Sequence, residues 1–232
     1  VHSLKDLQTE IPNGLKLAAV TKRHNPQDVL IARKKNIGLM DLKENAVVAT
    51  GSLRRKSQIL HFRPDIKIEE LRGNVPTRIE KFHDSKWDAI ILAGAGVERL
   101  GLKKWISSYI PFEMILPAVG QGALGIEINA ENTVVNEILK NINDETTLCE
   151  VTAERTFLKR LEGGCQIPIG ALGLLKSNGL YLSAYVGSED GATAFYSNIR
   201  GKKSEPELLG IASAEAVIKA GGGEVLSLRN KL

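Results

Sequence analysis

A chain of 232 residues with 43% hydrophobic and 25% charged residues has the make-up of a globular protein of one to three domains. A net charge of +4 and 5% aromatic residues, not interleaved with the basic ones, argue against the broad basic face or stacking platform of a nucleic-acid binder. No apolar run approaches the roughly 18 residues of a membrane-spanning helix. Two cysteines, Cys149 and Cys165, make neither a disulfide framework nor a zinc site, so a reducing cytoplasm is the expected compartment.

The chain opens with Val1-His2-Ser3-Leu4-Lys5-Asp6, which reads as the end of a strand running into a loop, and a preceding N-terminal portion is expected. The turn Pro12-Asn13-Gly14 leads into an extended apolar run, Leu15 to Val20. Thr21 to Asp28 is polar and holds a proline, as a hinge does. From Val29, strands and helices alternate: a strand at Val29–Ala32, a helical turn about Asp41, and a strand at Ala46–Thr50. The turn Gly51-Ser52 then starts a helix with Leu53, Ser57 and Leu60 on one face. A strand at Ile66–Leu71 delivers Arg72-Gly73-Asn74 to a helix carrying Arg78. Asp88 to Ala93 is the next strand, followed by the turn Gly94-Ala95-Gly96 and a short helix with Arg99. This alternation predicts a mostly parallel sheet.

Leu116 to Gly122, rich in glycine and proline, is a second hinge candidate, with a strand at Ala123–Ile128 and a helix at Thr133–Ile142 beyond it. The expected domains are 1–24 with 118–142, then 27–116 inserted between them, then 145–232. Two lobes joined by two crossings commonly close by hinge motion. The third region reads as a helix, Glu145–Leu161, and an antiparallel meander of Ile167–Leu175, Leu180–Val186 and Ala194–Ile199. A last helix is expected to be capped by Ser204, with Glu207 at the third position, and to stop at Gly221-Gly222-Gly223.

Arg54 and Arg55 fall in a first helical turn, where the macrodipole disfavours cations by a few tenths of a kcal/mol each. With Arg72 and Arg78 they place four guanidinium groups at the ends of two neighbouring strands, the edge at which open α/β sheets bind ligands. The matching ligand is an anion with several carboxylates or phosphates. The bland alternative is four unrelated surface arginines. Lys5-Asp6 is either a solvated pair or a carboxylate facing the cleft, able to accept N–H groups, pass a proton and stabilise a cation. Cys165 follows two glycines, with Arg160 one turn earlier, and is either an accessible thiol or a small buried residue. His2, His24, His61 and His83 lack zinc-ligand spacing, and neither Gly94/Gly96 nor Gly120/Gly122 completes a dinucleotide fingerprint, so no metal is expected.

The stretches VHSLKD (1–6), GSLRRKSQ (51–58), LRGNVPTR (71–78), DAIILAGAGVERLGL (88–102), LPAVGQGALGIE (116–127) and ERTFLKRLEGGCQIPIG (154–170) resemble, in order, the porphobilinogen deaminase (hydroxymethylbilane synthase) family. That resemblance implies an α/β fold of two hinged periplasmic-binding-protein-like lobes, the first incomplete, plus a small C-terminal α+β domain. It implies a dipyrromethane cofactor tethered by a thioether to Cys165. Four porphobilinogen molecules are added head to tail with loss of ammonia, and the linear tetrapyrrole hydroxymethylbilane is released by water. Asp6 is the implied catalytic acid, beside the azafulvenium cation left by the departing amine. Lys5, Asp6, Arg54, Arg55, Arg72 and Gly73 are implied to hold the cofactor, with Thr50 and Ser52 adding hydroxyls. Arg78, Arg99 and Gln121 are implied to hold substrate. The implied state is a cytoplasmic monomer without nucleic-acid or membrane partners. The family's further N-terminal segment is not in this sequence, which leads to the expectation of weak or no activity for residues 1–232 alone. The competing reading is a non-catalytic two-lobed module that binds a small polycarboxylate. A third reading is nucleic-acid binding through Arg54, Arg55 and Lys56.

Overall fold

A computed structural model describes residues 1–161 and 167–227. In chain order, β1 (His2–Ser3) and β2 (Leu15–Val20) precede a first crossing segment to β3 (Asp28–Ala32). Then come β4 (Val47–Ala49), α1 (Leu53–Phe62), β5 (Lys67–Glu69), α2 (Val75–Asp84), β6 (Ala89–Ala93), α3 (Gly94–Arg99) and β7 (Ser108–Tyr109). A second crossing leads to β8 (Leu124–Asn129), α4 (Thr133–Leu139) and α5 (Glu145–Arg160). The remainder is β9 (Ile169–Lys176), β10 (Gly179–Gly187), β11 (Ala194–Gly201), α6 (Pro206–Val217) and α7 (Gly223–Ser227).

These strands make three sheets, ordered β1-β8-β2, β5-β4-β6-β3-β7 and β11-β10-β9. The first and third are antiparallel throughout. The central sheet is mixed, which corrects the expectation of a mostly parallel one. Here β5, β4 and β6 run parallel, whereas β3 is antiparallel to both β6 and β7. The reason is the route of entry: the chain reaches β3 from the first sheet, and only strands joined by a crossover helix must run parallel. The cores of β3 and β6, Val29–Ile31 and Ala89–Leu92, are all at most 1% exposed, because helices or loops cover both faces.

Local chemistry sets the helix starts. Ser52, Asn74 and Asp144 each cap a helix by accepting the amide of Arg55, Thr77 or Thr147, respectively, three residues on. α3 starts at Gly94 itself, without a preceding turn. α6 corrects its expected cap: Glu205, not Ser204, is the cap, because Pro206, with its φ preset for the helix, takes the first helical position. The chain after α6 does not stop at the three glycines but widens into a turn at Ile218–Gly222 and resumes as α7. The apolar face expected for α1 is also different, since its buried residues are Arg54, Arg55, Ser57, Gln58 and Ile59. Ser57 and Gln58 face partners instead of solvent: Ser57 Oγ lies 2.6 Å from Tyr185 Oη and donates to the Ser188 carbonyl at 2.5 Å. That contact seats the third sheet on α1.

The two crossing segments lie side by side, with the His24 amide donating to the Gly122 carbonyl at 2.9 Å. Glu154 of α5, fully buried, gathers them. It accepts Arg23 Nη1 (2.6 Å), the Gly120 amide (2.7 Å) and the Gly173 amide of β9 (2.8 Å).

Candidate active site

The turn Leu4–Asp6 forms one wall of the site. Leu4 is 1% exposed and packs with Val20, Ala123 and Val151, and burial of a leucine is worth roughly 1.5–3 kcal/mol. Its amide donates to the Ala123 carbonyl at 3.0 Å. Glycines make room for it: a β-carbon on Gly120 would lie 3.0 Å from Leu4 Cγ, and one on Gly125 2.8 Å from Leu4 Cδ1. With Leu4 pinned, Lys5 and Asp6 line a cavity of about 800 Å³ between the first and central sheets.

The facing wall carries Arg55, Gly73, Arg78 and Arg99, and the crossings contribute Lys22 and Gln121. Five cations (Lys5, Lys22, Arg55, Arg78, Arg99) thus share the cavity with two carboxylates, Asp6 and Glu98. Burial, and then the Arg55 guanidinium, hold the Lys5 ammonium below its ordinary value, while Asp6 acts in the opposite direction. Arg78 is lowered by the same two causes in the same order, and its Nε donates to the Gly73 carbonyl at 2.6 Å. Cations that depress one another mark a site short of negative charge.

Behind Arg55 lies a residue that sequence reading missed. Asp28, at the end of the first crossing, is fully buried. Its Oδ1 accepts Arg55 Nη2 at 2.8 Å and Gln121 Nε2 at 2.9 Å, and its Oδ2 accepts Arg54 Nη1 at 2.8 Å. Burial pushes this carboxyl upward, but the guanidiniums of Arg54 and Arg55 outweigh it and hold it far below the usual carboxylate range. An aspartate opening a strand beside a proline-containing crossing was the available signal. Its partners, 26 and 27 residues on, were not visible in it.

The four arginines therefore do not form one cluster. Arg55 and Arg78 line the cavity. Arg54 turns away to Asp28 and to the Leu116 carbonyl at 2.6 Å, because successive helical residues point about 100° apart. Arg72 has a side chain 82% exposed and pairs with Glu70 at 2.6 Å, since the strand end turns it outward. Thr50 and Ser52 line a separate recess of about 220 Å³ with Lys56 and Glu69. Cys165 lies outside the described residues.

A dipyrromethane carries acetate and propionate groups, and the residues present fit such a polyanion. The cavity has a surplus of cations, and Arg55 Nε is a buried donor without a hydrogen-bond partner among the described residues. Among the described residues, no helix is long and apolar enough to cross a membrane.

Fold and cavity define a mixed α/β protein with an anion-seeking cleft between two sheets. Residues 1–137 match the family model "Porphobilinogen deaminase, dipyromethane cofactor binding domain", and residues 148–219 match the model of that enzyme's C-terminal domain. A porphobilinogen deaminase of Brevibacillus brevis is 48% identical over 228 residues, covering 98% of this chain and 73% of the relative. Those of Carboxydothermus hydrogenoformans and Chlorobium phaeobacteroides are each 46% identical, over 97% and 98% of this chain and 72% and 74% of theirs. The chain belongs to the porphobilinogen deaminase family. A solved substrate-binding protein of an amino acid ABC transporter aligns with 55% of this chain and 54% of its own, at 16% identity and a TM-score of 0.32, too distant to carry weight.

Proposed function

We propose that this chain is a hydroxymethylbilane synthase, a transferase of tetrapyrrole biosynthesis that condenses four porphobilinogen molecules head to tail with loss of ammonia. The observation that carries this reading is the cation-lined cavity with Asp6 on the wall opposite Arg55 and Arg78. A dipyrromethane bound there supplies the pyrrole α-carbon to which the first substrate is joined, and Cys165 is its attachment point.

The protein's own part is binding and charge control. Arg55, Arg78, Arg99 and Lys5 pair with acetate and propionate carboxylates, arginine doing so at any working pH. Fixing several carboxylates also orients the aminomethyl carbon, which lowers the entropic part of the barrier. That group is protonated near neutrality and departs as ammonia with the bonding electron pair. Positive charge then develops along the substrate's pyrrole ring, and the Asp6 carboxylate stabilises it at the ring N–H. After the new carbon–carbon bond forms, Asp6 is the base in reach of the proton to be lost.

The domains we assign are 1–24 with 118–142, 27–116 and 145–232, the first two being hinged lobes of the periplasmic-binding-protein type that close on the growing chain. The protein acts as a cytoplasmic monomer. The test is ammonia release and product formation from porphobilinogen by the intact cellular protein and its Asp6→Asn variant. Turnover lost by about a hundredfold or more in the variant, with an unchanged melting temperature, is the expected result. Binding of porphobilinogen without any ammonia release by the unaltered protein would instead establish a non-catalytic polycarboxylate-binding module.

A further inference from the structure

We propose that Asp28 is a positioning residue, whose single carboxylate holds Arg55 at the cavity wall and ties it to both crossing segments. The inference rests on the reading of the cavity as a site for carboxylate-bearing pyrroles, and deepens it.

Three features separate this from an ordinary buried ion pair. The first is charge. One carboxylate faces two guanidiniums, Arg54 and Arg55, with side chains 6% exposed, so the buried cluster keeps a net positive charge. A cluster serving stability alone gains nothing from that surplus, since buried ionic groups are often replaced by apolar ones without loss. An anion entering the cavity that Arg55 lines, beside Asp6 and Glu98, would match that surplus.

The second is geometry. Arg55 is fixed along one edge, Nη2 on Asp28 and Nη1 on the Ile91 carbonyl at 3.1 Å, while its buried Nε has no partner among the described residues. Two fixed terminal nitrogens stop the guanidinium from rotating, so its remaining N–H groups are pre-oriented. Pre-orientation is what distinguishes a recognition fork from a flexible cation.

The third is connectivity. Asp28 ends the first crossing, and the Gln121 that shares its Oδ1 lies on the second. Gln121 Nε2 also donates to the Pro26 carbonyl at 2.7 Å, and Arg23 Nε donates to the Gln121 carbonyl at 2.9 Å. The carboxylate therefore fixes Arg55 relative to the segments that carry the first sheet, and with it Lys5 and Asp6.

The experiment compares the intact holoprotein with its Asp28→Asn variant by arginine side-chain NMR and by porphobilinogen kinetics, with Arg55→Lys used to assign the Arg55 signals. The asparagine keeps the volume but presents an amide donor to one of the guanidiniums. Expected are a cooperative melt, Arg55 Nη–H signals that change from separately resolved to averaged, and a KM raised about tenfold with a smaller fall in kcat. Wild-type Arg55 signals, or a lowered melting temperature with KM unchanged, would overturn the proposal and leave Asp28 a structural counter-ion. If Asp28→Asn fails to fold, the charge-balanced Asp28→Asn/Arg54→Met variant replaces it. Averaged Arg55 signals are again expected there, and resolved ones overturn the idea. If the unaltered protein shows no turnover, the functional reading fails, and the NMR comparison still decides the role of Asp28.

Discussion

Glu154→Gln tests whether the three sheets are held by one buried carboxylate. Glu154 is fully buried and accepts from Arg23 at 2.6 and 3.3 Å, from the Gly120 amide at 2.7 Å and from the Gly173 amide at 2.8 Å. A glutamine of the same size has only one accepting oxygen. Its NH2 group must therefore face either the Gly120 or the Gly173 amide, and Arg23, 7% exposed, loses its nearest counter-charge. Glu150 is the other carboxylate near Arg23, at 4.0 Å, and compensates only in part. Removing one partner of a buried pair costs about 3–5 kcal/mol. At roughly 2–4 °C per kcal/mol for a chain of this size, the melting temperature should fall by about 6–20 °C. Calorimetry on the wild type, Glu154→Gln, Arg23→Met and the double variant provides the measurement. The double variant should be less destabilised than the sum of the singles, because the second change no longer strands a charge. A fall of less than about 2 °C in Glu154→Gln, or strict additivity, would refute the argument.

Arg78→Leu should raise KM for porphobilinogen about tenfold or more and leave the melting temperature nearly unchanged, since among the described residues this half-exposed side chain donates a hydrogen bond only to the Gly73 carbonyl; a large thermal shift would show a structural role instead. Gly191→Ala should destabilise by about 2 kcal/mol or more. Gly191 has φ +71°, and a β-carbon there would lie 2.5 Å from the His61 amide nitrogen and 2.6 Å from the Ser57 carbonyl oxygen. Wild-type resistance to thermal unfolding would mean that the third sheet can slide on α1. For acid stability, the Arg63 hydrogen bonds lower the Asp65 carboxyl to about 2. A folded value below the unfolded one contributes stability that is complete above about pH 4 and is lost as pH falls toward 2. Asp65→Asn should therefore flatten the slope of stability against pH in that window, and an unaltered slope counts against the pairing.

Much of this was legible because it is local. The helix start at Gly51-Ser52 needs a cap partner only three residues away, and the apolar runs of β3 and β6 announce strands. Lys5, Asp6, Arg55 and Arg78 were found through their position at strand ends and loops, and the structure brings them to one cavity. What escaped depends on distant partners. The direction of β3 is set by the sheet it comes from, which no periodicity records. Arg54 and Arg72 look equivalent to Arg55 and Arg78 until Asp28, Leu116 and Glu70 are placed beside them. Glu154 reads as one more charge on a helix, because Arg23 stands 131 residues earlier.

Leu4 sits where two neighbouring backbones carry only hydrogen atoms, at Gly120 and Gly125. The depth of that seat fixes how far Asp6 stands from the guanidiniums opposite. Adding a single methyl at either glycine would lift the acid without touching it, so the reach of a charged group across the cleft is regulated by the thinness of the floor beneath its neighbour.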